Sequence, residues 1–253
     1  MNVSAVIPIY QPDAKILNRC LYLVTPQVDE VIITAEGNSI VPENVLKHPK
    51  IVHVQTPDKA IGFARNVNFG AKHAKGKWLL ILNDDVHLNP NAVEEMTKVI
   101  QPDTGIVVHL LRYPDRMIFP TVCARFAGAT DFHHVDQRKT ETSLKEVVEV
   151  ENACGASWLV RREAFQKLNG YDEGFWPGYS EDNDLSLRMR LYGWKILYTP
   201  HAKGWHIGHQ SFRKLGDPNE LCKASIALFH RKWDAYLEAN KNKVPGDFSY
   251  LDP

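Results

Sequence analysis

The stretch Trp78-Leu79-Leu80-Ile81-Leu82-Asn83-Asp84-Asp85-Val86 decides the fold class that this sequence predicts. It begins with five apolar residues, the length and composition of a β-strand buried on both faces in the middle of a parallel sheet. The amide and two carboxylates that follow would lie at the carboxyl end of that strand, where open α/β sheets bind their ligands. Adjacent carboxylates are costly there unless a cation neutralises them, and a divalent metal ion is the obvious candidate. A plain Asn-Asp turn after a strand is the alternative interpretation.

Strands and helices alternate on the N-terminal side of this stretch. The pattern predicts strands at residues 3–9, 31–34 and 51–54, a first helix capped by Asp13, and a second helix at residues 62–75. Strands joined by helical crossovers pair in parallel. The chain up to Asp85 therefore has the pattern of a nucleotide-binding half-sheet.

The C-terminal side continues this alternation less regularly. We predict helices at residues 89–100, 162–168, 181–192 and 220–239, strands at 105–110 and 195–198, and a return to the sheet at 153–160. Residues 113–150 show only weak periodicity and are expected to form loops and an irregular excursion. No composition shift marks a second domain, so the fold class is α/β: a single domain with a mostly parallel sheet flanked by helices.

The composition is that of an ordinary globular protein with a full core. The 253 residues include 30 basic and 30 acidic side chains, a balance that argues against a protein whose main task is to neutralise nucleic acid. The four cysteines are far apart and form no CxxC pair, which argues against a structural zinc site and favours a reducing, cytoplasmic location. No apolar segment approaches the roughly 20 residues of a membrane span, so any membrane contact is expected to be peripheral, at the inner face.

The C-terminal region carries a cluster of basic residues: Arg213, Lys214, Lys223, Arg231, Lys232, Lys241 and Lys243. A solvated helix face explains such a cluster, and so does a docking surface for anionic lipid or polysaccharide. Nucleic acid as a partner is the less favoured interpretation.

An acidic cluster, Glu181-Asp182-Asn183-Asp184, begins one of the predicted helices. Acidic side chains at a helix N-terminus complement the helix dipole, and Asp184 can also pair with Arg188 four residues on. We therefore interpret Asp184 as structural. Glu181 and Asp182 follow the loop Pro177-Gly178-Tyr179, which places them at the entrance to a site rather than in a packed interior.

Two histidines, His206 and His209, flank Gly208 after the last predicted strand. A single histidine is usually structural, but two at this spacing also fit a pair of metal ligands. The sequence alone leaves both interpretations open.

Taken in order along the chain, these motifs resemble family 2 glycosyltransferases of the GT-A fold, in particular the rhamnosyltransferase-like branch. The residues that carry the resemblance are Val6-Ile7-Pro8-Ile9-Tyr10, Gly62-Phe63-Ala64-Arg65-Asn66, Asn68-Phe69-Gly70, Leu82-Asn83-Asp84-Asp85, Gly155-Ala156 and Glu181-Asp182-Asn183-Asp184-Leu185. The resemblance covers residues 3–209. We accordingly expect one GT-A domain at 1–212, with a nucleotide-binding half at 1–88 and an acceptor-side half at 89–212, and a helical extension at 213–253 packed on the same domain.

The resemblance implies a divalent cation, Mn2+ or Mg2+, that bridges the diphosphate of a nucleotide-sugar. Asn83-Asp84-Asp85 matches the DxD-type motif, in which Asp85 would bind the cation, and His206 would complete its ligand shell. Asn83 stands in place of the first aspartate of that motif. Its amide can bond ribose or sugar hydroxyls, but it lowers the charge of the site.

The same resemblance implies roles for the remaining site residues. Pro8, Ile9 and Tyr10 would flank the nucleobase of the donor. Glu36 would contact the base or the ribose, and Arg65 would lie near the nucleotide pocket. Asp84 and Glu181 complete the set of residues expected to bind the donor. Asp182 matches the catalytic base, which takes the proton from an acceptor hydroxyl as its oxygen attacks the anomeric carbon.

The implied reaction is inverting transfer of a hexose or deoxyhexose to a hydroxyl of a glycan, a lipid-linked or another acceptor, as in polysaccharide biosynthesis. An in-line displacement needs a base on one face of the sugar and a stabilised leaving group on the other. Two alternatives stay open. A nucleotidyltransferase would need a Gly-rich basic signature in place of Gln11-Pro12-Asp13, and a non-catalytic nucleotide-sugar-binding module would lack turnover.

Overall fold

Four parallel strands form one half of the main sheet: β1 (Val3–Tyr10), β2 (Glu30–Glu36), β3 (Ile51–Gln55) and β4 (Trp78–Leu82). The computed structural model describes residues 2–56, 61–125, 132–134, 136–208 and 212–239 of the chain. The strands lie in the order β3-β2-β1-β4, and every neighbouring pair is parallel. The predicted parallel half-sheet is therefore confirmed.

Three helices connect these strands: α1 (Ala14–Val24), α2 (Glu43–Leu46) and α3 (Phe63–Ala71), with a short 3-10 turn at Thr25–Gln27. The Asp13 carboxylate caps α1 by accepting hydrogen bonds from the N–H groups of Lys15 (2.8 Å) and Ile16 (3.1 Å). Helix α3 ends four residues earlier than predicted, because the backbone there changes to i to i+3 hydrogen bonds such as His73 to Gly70 (2.9 Å).

Strand β4 is buried on both faces. Leu80 and Leu82 pack into the core layer that contains the apolar face of α1, and Leu79 and Ile81 pack into the layer that contains α3. An unbroken apolar run is what a strand between two helical layers requires. The prediction made from residues 78–82 is therefore confirmed.

Eight further strands lie in the described residues. In chain order they are β5 (Val86–Leu88), β6 (Thr104–Arg112), β7 (Val122–Arg125), β8 (Phe132–His134), β9 (Val148–Glu149), β10 (Asn152–Ala153), β11 (Ser157–Arg161) and β12 (Lys195–His206). The main sheet continues as β4-β11-β6-β12-β5 with β9 on β12, while β10-β7-β8 form a small separate sheet. Strand β11 is antiparallel to both of its neighbours, β12 is parallel to β6, and β5 and β9 are antiparallel to β12. Six of the nine main-sheet strands thus run in one direction, which confirms a mostly parallel α/β sheet.

After β5, the described part of the chain contains five helices: α4 (Ala92–Lys98), α5 (Arg162–Lys167), α6 (Glu181–Leu191), α7 (Phe212–Leu215) and α8 (Pro218–Ala239). Phe229 and Leu237 of α8 pack against Phe175 and Leu187, so this long helix lies against the segment that contains α6. None of the helices in the described ranges combines the length and the apolar character that crossing a membrane requires.

Several elements differ from the sequence predictions. Strand β12 continues to His206 rather than ending at 198, because an irregularity between Thr199 and Lys203 accommodates Pro200 and pairing with β6 then resumes. Helix α4 starts late because Asn91 adopts a left-handed φ of 66°. Strand β5 and the strands within 113–150 have only two to four residues, too few to produce a periodic sequence signal.

Candidate active site

The turn after β4 presents Asn83, Asp84 and Asp85. The Val86 N–H donates to the Asn83 carbonyl (3.1 Å), so the turn suggested by the plain interpretation does form. Both carboxylates are nevertheless buried, with only 7% of Asp84 and 3% of Asp85 exposed. Aspartates that serve only a turn are normally exposed, and this burial therefore favours a ligand-binding role.

Asp85 is held between β5 and the end of β12. Its Oδ2 accepts a hydrogen bond from the Gly208 N–H (2.9 Å), and its Oδ1 lies 3.0 Å from His206 Nε2. The two side chains meet because His206 pairs with Val86 across β12 and β5. Burial opposes ionisation of Asp85, but His206 and the backbone N–H groups outweigh it and lower the pKa of this carboxyl.

The residues present fit the cation that the resemblance implies. Within the described ranges, His206 Nδ1 and Asn83 Oδ1 are buried without a hydrogen bond, and His206 Nε2 lies 3.0 Å from Asp85 Oδ1. A carboxylate and an imidazole placed side by side can share one metal ion. No group of three His, Cys, Asp or Glu side chains surrounds a single point in the described residues. Protein ligands would therefore need to be completed by diphosphate oxygens and water, as is usual for Mg2+.

Asp84 has a different electrostatic environment. Burial, and then the neighbouring Asp85 carboxylate, raise the pKa of Asp84 to about 7, and Lys214 opposes this rise. Lys214 of α7 also donates a hydrogen bond to the Gln11 carbonyl just after β1. Helix α7 therefore brings positive charge over the strand ends that carry the acidic residues.

Asp182 lies in the first turn of α6 with its side chain half-buried. Its Oδ2 accepts a hydrogen bond from the Gly155 N–H (2.9 Å) and its Oδ1 accepts one from the Asn183 N–H (2.8 Å). Burial raises the pKa of Asp182, and these donors offset only part of that rise. A partly accessible carboxylate with a raised pKa suits the acceptance of a proton.

One short segment connects the two groups of acidic residues. The Asn83 N–H donates to the Ala156 carbonyl (2.9 Å), and the adjacent Gly155 donates to Asp182. Glycine suits position 155 because a Cβ atom there would lie 3.1 Å both from Asp182 Cβ and from the Trp158 ring. The structure thus brings residues 83–85 and Asp182 to the same edge of the sheet.

The other two carboxylates of α6 differ in their partners. Asp184 is fully buried, accepts hydrogen bonds from Arg188 (2.7 Å) and Trp233 (2.8 Å), and so has the contacts of a structural residue. Glu181 is also buried, but its Oε2 has no hydrogen-bond partner among the described residues. Burial, followed by the nearby Asp182, raises the pKa of Glu181 well above its ordinary value.

The residues assigned to the nucleotide lie at the carboxyl ends of β1 and β2. Pro8 and Ile9 are buried in β1, and the half-buried Tyr10 pairs with Glu36 at the last register position of the two strands. The Glu36 carboxylate accepts a hydrogen bond from the Gly62 N–H (3.2 Å) at the start of α3, and burial raises the pKa of Glu36. These residues are near the end of β4 because β1 pairs with both β2 and β4.

Arg65 lies on the exposed side of the first turn of α3. Its Nε is 3.7 Å from a carboxylate oxygen of Glu173, in the loop that leads into α6. The structure thus places Arg65 against the loop that leads into α6.

Two residues at this edge were not singled out from the sequence. Cys154 directly precedes Gly155, whose N–H bonds Asp182, and its position next to the quoted Gly155-Ala156 motif was the available signal. Trp176 is 50% exposed, and its ring lies so close to Gly62 that a Cβ there would be 2.8 Å from Trp176 Cδ1. His209, Lys241 and Lys243 lie outside the described residues, as does the side chain of Arg213.

A cavity of about 1240 Å3 lies elsewhere, at the amino ends of the parallel strands. Its walls come from α1, α2 and the start of α4, including Tyr22, Val45 and Pro90. The cavity contains none of the residues assigned to the site.

Comparisons with solved structures identify the fold. The crystal structure of GalNAc-T7 with UDP, GalNAc and Mn2+ superposes with a TM-score of 0.69 at 17% identity, covering 99% of this chain and 53% of that one. Staphylococcus aureus TarS 1–349 in complex with UDP-GlcNAc gives a TM-score of 0.61 at 13% identity, with 96% and 70% coverage. The fold of the chain is therefore that of GT-A glycosyltransferases.

Sequence comparisons give the family. The chain is 27% identical over 177 residues to N-acetylglucosaminyl-diphospho-decaprenol L-rhamnosyltransferase of Mycobacterium tuberculosis, covering 63% of this chain and 54% of that protein. The chain thus spans about half the length of this relative. A model described as the N-terminal domain of galactosyltransferase matches residues 138–210. The model of glycosyl transferase family 2 matches residues 4–168, more than half of the chain, and the protein belongs to that family.

Proposed function

We propose that the protein is an inverting, cation-dependent glycosyltransferase that moves a hexose or deoxyhexose from a nucleotide-diphosphate sugar to an acceptor hydroxyl. The observation that carries this proposal is the pair of hydrogen bonds from Asn83 to Ala156 and from Gly155 to Asp182. Through these two bonds, the adjacent residues Gly155 and Ala156 hold the Asn83-Asp84-Asp85 motif on one side and the Asp182 carboxylate on the other. A single displacement needs these two groups at a fixed separation.

Asp182 is the proposed base. It takes the proton of the acceptor hydroxyl while the acceptor oxygen bonds to the anomeric carbon and the bond to the diphosphate breaks. Attack from the face opposite the leaving group inverts the anomeric carbon in one step. The raised pKa of Asp182, caused first by burial, makes the carboxylate a better proton acceptor than an exposed aspartate.

Asp85 and His206 are the proposed cation ligands. When bound, Mn2+ or Mg2+ would neutralise charge that develops on the leaving diphosphate. Asn83 contributes an uncharged amide whose Oδ1 is free to accept a hydrogen bond from a sugar or ribose hydroxyl. Tyr10 and Glu36 lie at the ends of adjacent strands, where they can contact the nucleoside.

The acceptor and location are inferred from the relatives. The name of the mycobacterial relative describes L-rhamnosyl transfer to a diphosphate-linked decaprenol, so we propose an activated L-rhamnose donor and a lipid-linked glycan acceptor. Such an acceptor would place the protein peripherally at the inner membrane face. The exposed Lys214, Lys223 and Arg231 on α7 and α8 offer positive charge to anionic lipid.

A donor screen by thermal unfolding tests the proposal. UDP-GlcNAc and nucleoside-diphosphate L-rhamnoses are added at a large excess, with and without Mn2+. A ligand at about 100 times its Kd stabilises a protein by about 2.7 kcal/mol, or about 5 to 10 °C for a chain of this size. The expected result is a cation-dependent rise in Tm for one donor. A panel without any such rise contradicts donor binding.

Two variants then separate catalysis from binding. Asp182→Asn is expected to reduce transfer by about 100-fold or more while keeping the donor-dependent rise in Tm. Asp85→Ala is expected to abolish the Mn2+-dependent part of that rise. Substantial turnover in Asp182→Asn contradicts the base assignment. A wild-type protein that binds donor without hydrolysis or transfer would instead be a nucleotide-sugar-binding module.

A further inference from the structure

Asn183 follows the proposed base in the first turn of α6, and its side-chain amide is held by Asn152 of β10. Asn152 Nδ2 donates a hydrogen bond to Asn183 Oδ1 at 2.9 Å. Asn152 is only 4% exposed, and β10 is paired with β7 in the small sheet. The contact therefore joins the start of α6 to a buried residue of a different element.

A backbone N–H determines which way round both amides lie. The Ala153 N–H can only donate, and it lies 2.9 Å from Asn152 Oδ1, so that end of the Asn152 amide is the oxygen. The other end of Asn152 is then the nitrogen, which can only donate, and the Asn183 atom that faces it is the oxygen. Reversing the Asn183 amide would set two donor groups against each other. The nitrogen of Asn183 is therefore turned away from Asn152.

This nitrogen, Asn183 Nδ2, is available as a hydrogen-bond donor. In the part of the chain that the structure describes, it makes no hydrogen bond, and the half-buried side chain leaves it in contact with solvent. The amide does not cap the helix either, because the N-cap position is Ser180. Asn183 Nδ2 can therefore bind an oxygen atom without giving up a bond within the protein.

The side chains of Asp182 and Asn183 lie next to each other along one segment. Asp182 Oδ2 accepts a hydrogen bond from the Gly155 N–H (2.9 Å), and Asn183 is bonded to Asn152, three residues earlier. Consecutive Cα atoms are about 3.8 Å apart, so both side chains can reach oxygens of a single sugar ring. One side chain offers a proton acceptor and the other offers a donor.

We propose that Asn183 is a specificity-determining residue for the acceptor: its Nδ2 donates a hydrogen bond to an acceptor-sugar oxygen near the hydroxyl that Asp182 deprotonates. This inference rests on the proposed function, because it takes Asp182 as the base. The ligand class is a sugar that carries a second oxygen, either a hydroxyl or an amide carbonyl, beside the reacting hydroxyl. A site built to bond such an oxygen discriminates against analogues that lack it.

Acceptor analogues test this contact. The probe is octyl N-acetyl-β-D-glucosaminide, because the name of the mycobacterial relative describes an N-acetylglucosaminyl acceptor. Its analogues each lack one hydroxyl, and octyl glucoside lacks the acetamido group. Transfer from the donor found in the screen is measured as kcat/KM for every acceptor. Asn183→Ala removes the proposed donor. Asn152→Ala is the matched control, since it breaks the same hydrogen bond between the two residues but keeps the Asn183 amide.

The expected results differ between the two variants. Wild type loses about tenfold or more in kcat/KM with the analogue that lacks the bound oxygen. Asn183→Ala loses about as much with the complete acceptor, and it no longer distinguishes that acceptor from the same analogue. Its KM for the donor stays within about twofold of wild type. Asn152→Ala retains a preference for the complete acceptor, although its Tm falls as it does in Asn183→Ala.

A second measurement does not depend on transfer. The side-chain amide resonances of Asn183 are assigned in 15N-labelled protein by their loss in Asn183→Ala, and the acceptor probe is then added at millimolar concentration. These resonances are expected to shift, and a spectrum in which they do not shift overturns the inference. Equal discrimination among acceptors by wild type and Asn183→Ala also overturns it, and leaves Asn183 a packing role only. Failure of the proposed function appears differently, as a wild-type protein that shows neither transfer nor a donor-dependent rise in Tm.

Discussion

Replacing Gly155 by alanine should impair catalysis through a displacement that the structure specifies. The new Cβ would lie 3.1 Å from Asp182 Cβ, 3.1 Å from Trp158 Cζ2 and 3.2 Å from Trp158 Cε2. Trp158 cannot give way easily, because it is fully buried and stacks on Tyr171 with the ring planes 16° apart. The adjustment of a few tenths of an ångström therefore falls mainly on Asp182.

The two consequences of this displacement differ in size. Overpacking a core position costs about 1 to 3 kcal/mol of stability. A misplacement of about 1 Å at a reacting group can cost roughly 100-fold in rate. We therefore expect Gly155→Ala to lower kcat/KM by about tenfold or more, with a loss of several degrees in Tm.

Gly193→Ala provides the matched control. Gly193 has a φ of +83° and no atom within 4 Å of the added Cβ, so alanine there strains the backbone without a steric clash. That strain costs about 1 to 2 kcal/mol, comparable to the packing cost at Gly155. Both variants are assayed for Tm and for the kcat/KM of transfer. A Gly155→Ala enzyme within twofold of wild type, or equal activity losses in both variants, would refute the reasoning.

Three further changes have defined outcomes. Glu181→Gln should raise Tm at pH 7.5 but not at pH 4.5. Because the pKa of the buried Glu181 carboxyl is raised in the folded protein, the unfolded state ionises first, and the free energy of unfolding falls by about 1.4 kcal/mol for each pH unit above the unfolded-state pKa. The same change in Tm on substitution at both pH values would contradict this. Trp233→Phe should lower the free energy of unfolding, measured in urea, by about 1 to 3 kcal/mol, because the buried Asp184 carboxylate loses a 2.8 Å hydrogen bond. The control is Trp176→Phe, which should change this free energy little because Trp176 is half-exposed. His206→Ala should raise the Mn2+ concentration for half-maximal donor stabilisation by roughly tenfold or more, and an unchanged midpoint removes His206 from the ligand set.

The sequence predicts the first half of the fold well because its signals there are local. The apolar run at 78–82, the Asp13 cap and the alternating strands each depend on residues close in the chain, and the structure confirms them. Strand β12 was predicted too short because the irregularity after Thr199 depends on renewed pairing with β6. That pairing is a tertiary interaction, which no local pattern around Pro200 indicates.

The sequence named residues that the structure brings to one edge of the sheet, but it did not indicate the contacts that hold them there. Motif order singled out Asp85, Asp182 and His206, whose roles stay predictions. The hydrogen bond from Gly155 to Asp182 joins residues 27 positions apart, and no local sequence pattern indicates such a contact. The electrostatic difference between Glu181 and Asp184 likewise depends on Trp233, which lies 49 residues beyond Asp184.

The start of α6 shows how the fold supports an electrostatically unfavourable site. Three carboxylates within four residues repel one another, and burial adds to that cost at Glu181 and Asp182. The partners of Asp184 offset part of this repulsion. Its carboxylate is contacted at 2.7 to 2.8 Å by Arg188, Lys232 and Trp233. Two of these three partners belong to α8, beyond the segments that the family models match. Helix α8 therefore anchors α6 through the Asp184 carboxylate, and Asp182 can remain a half-buried carboxylate without making the helix start unstable.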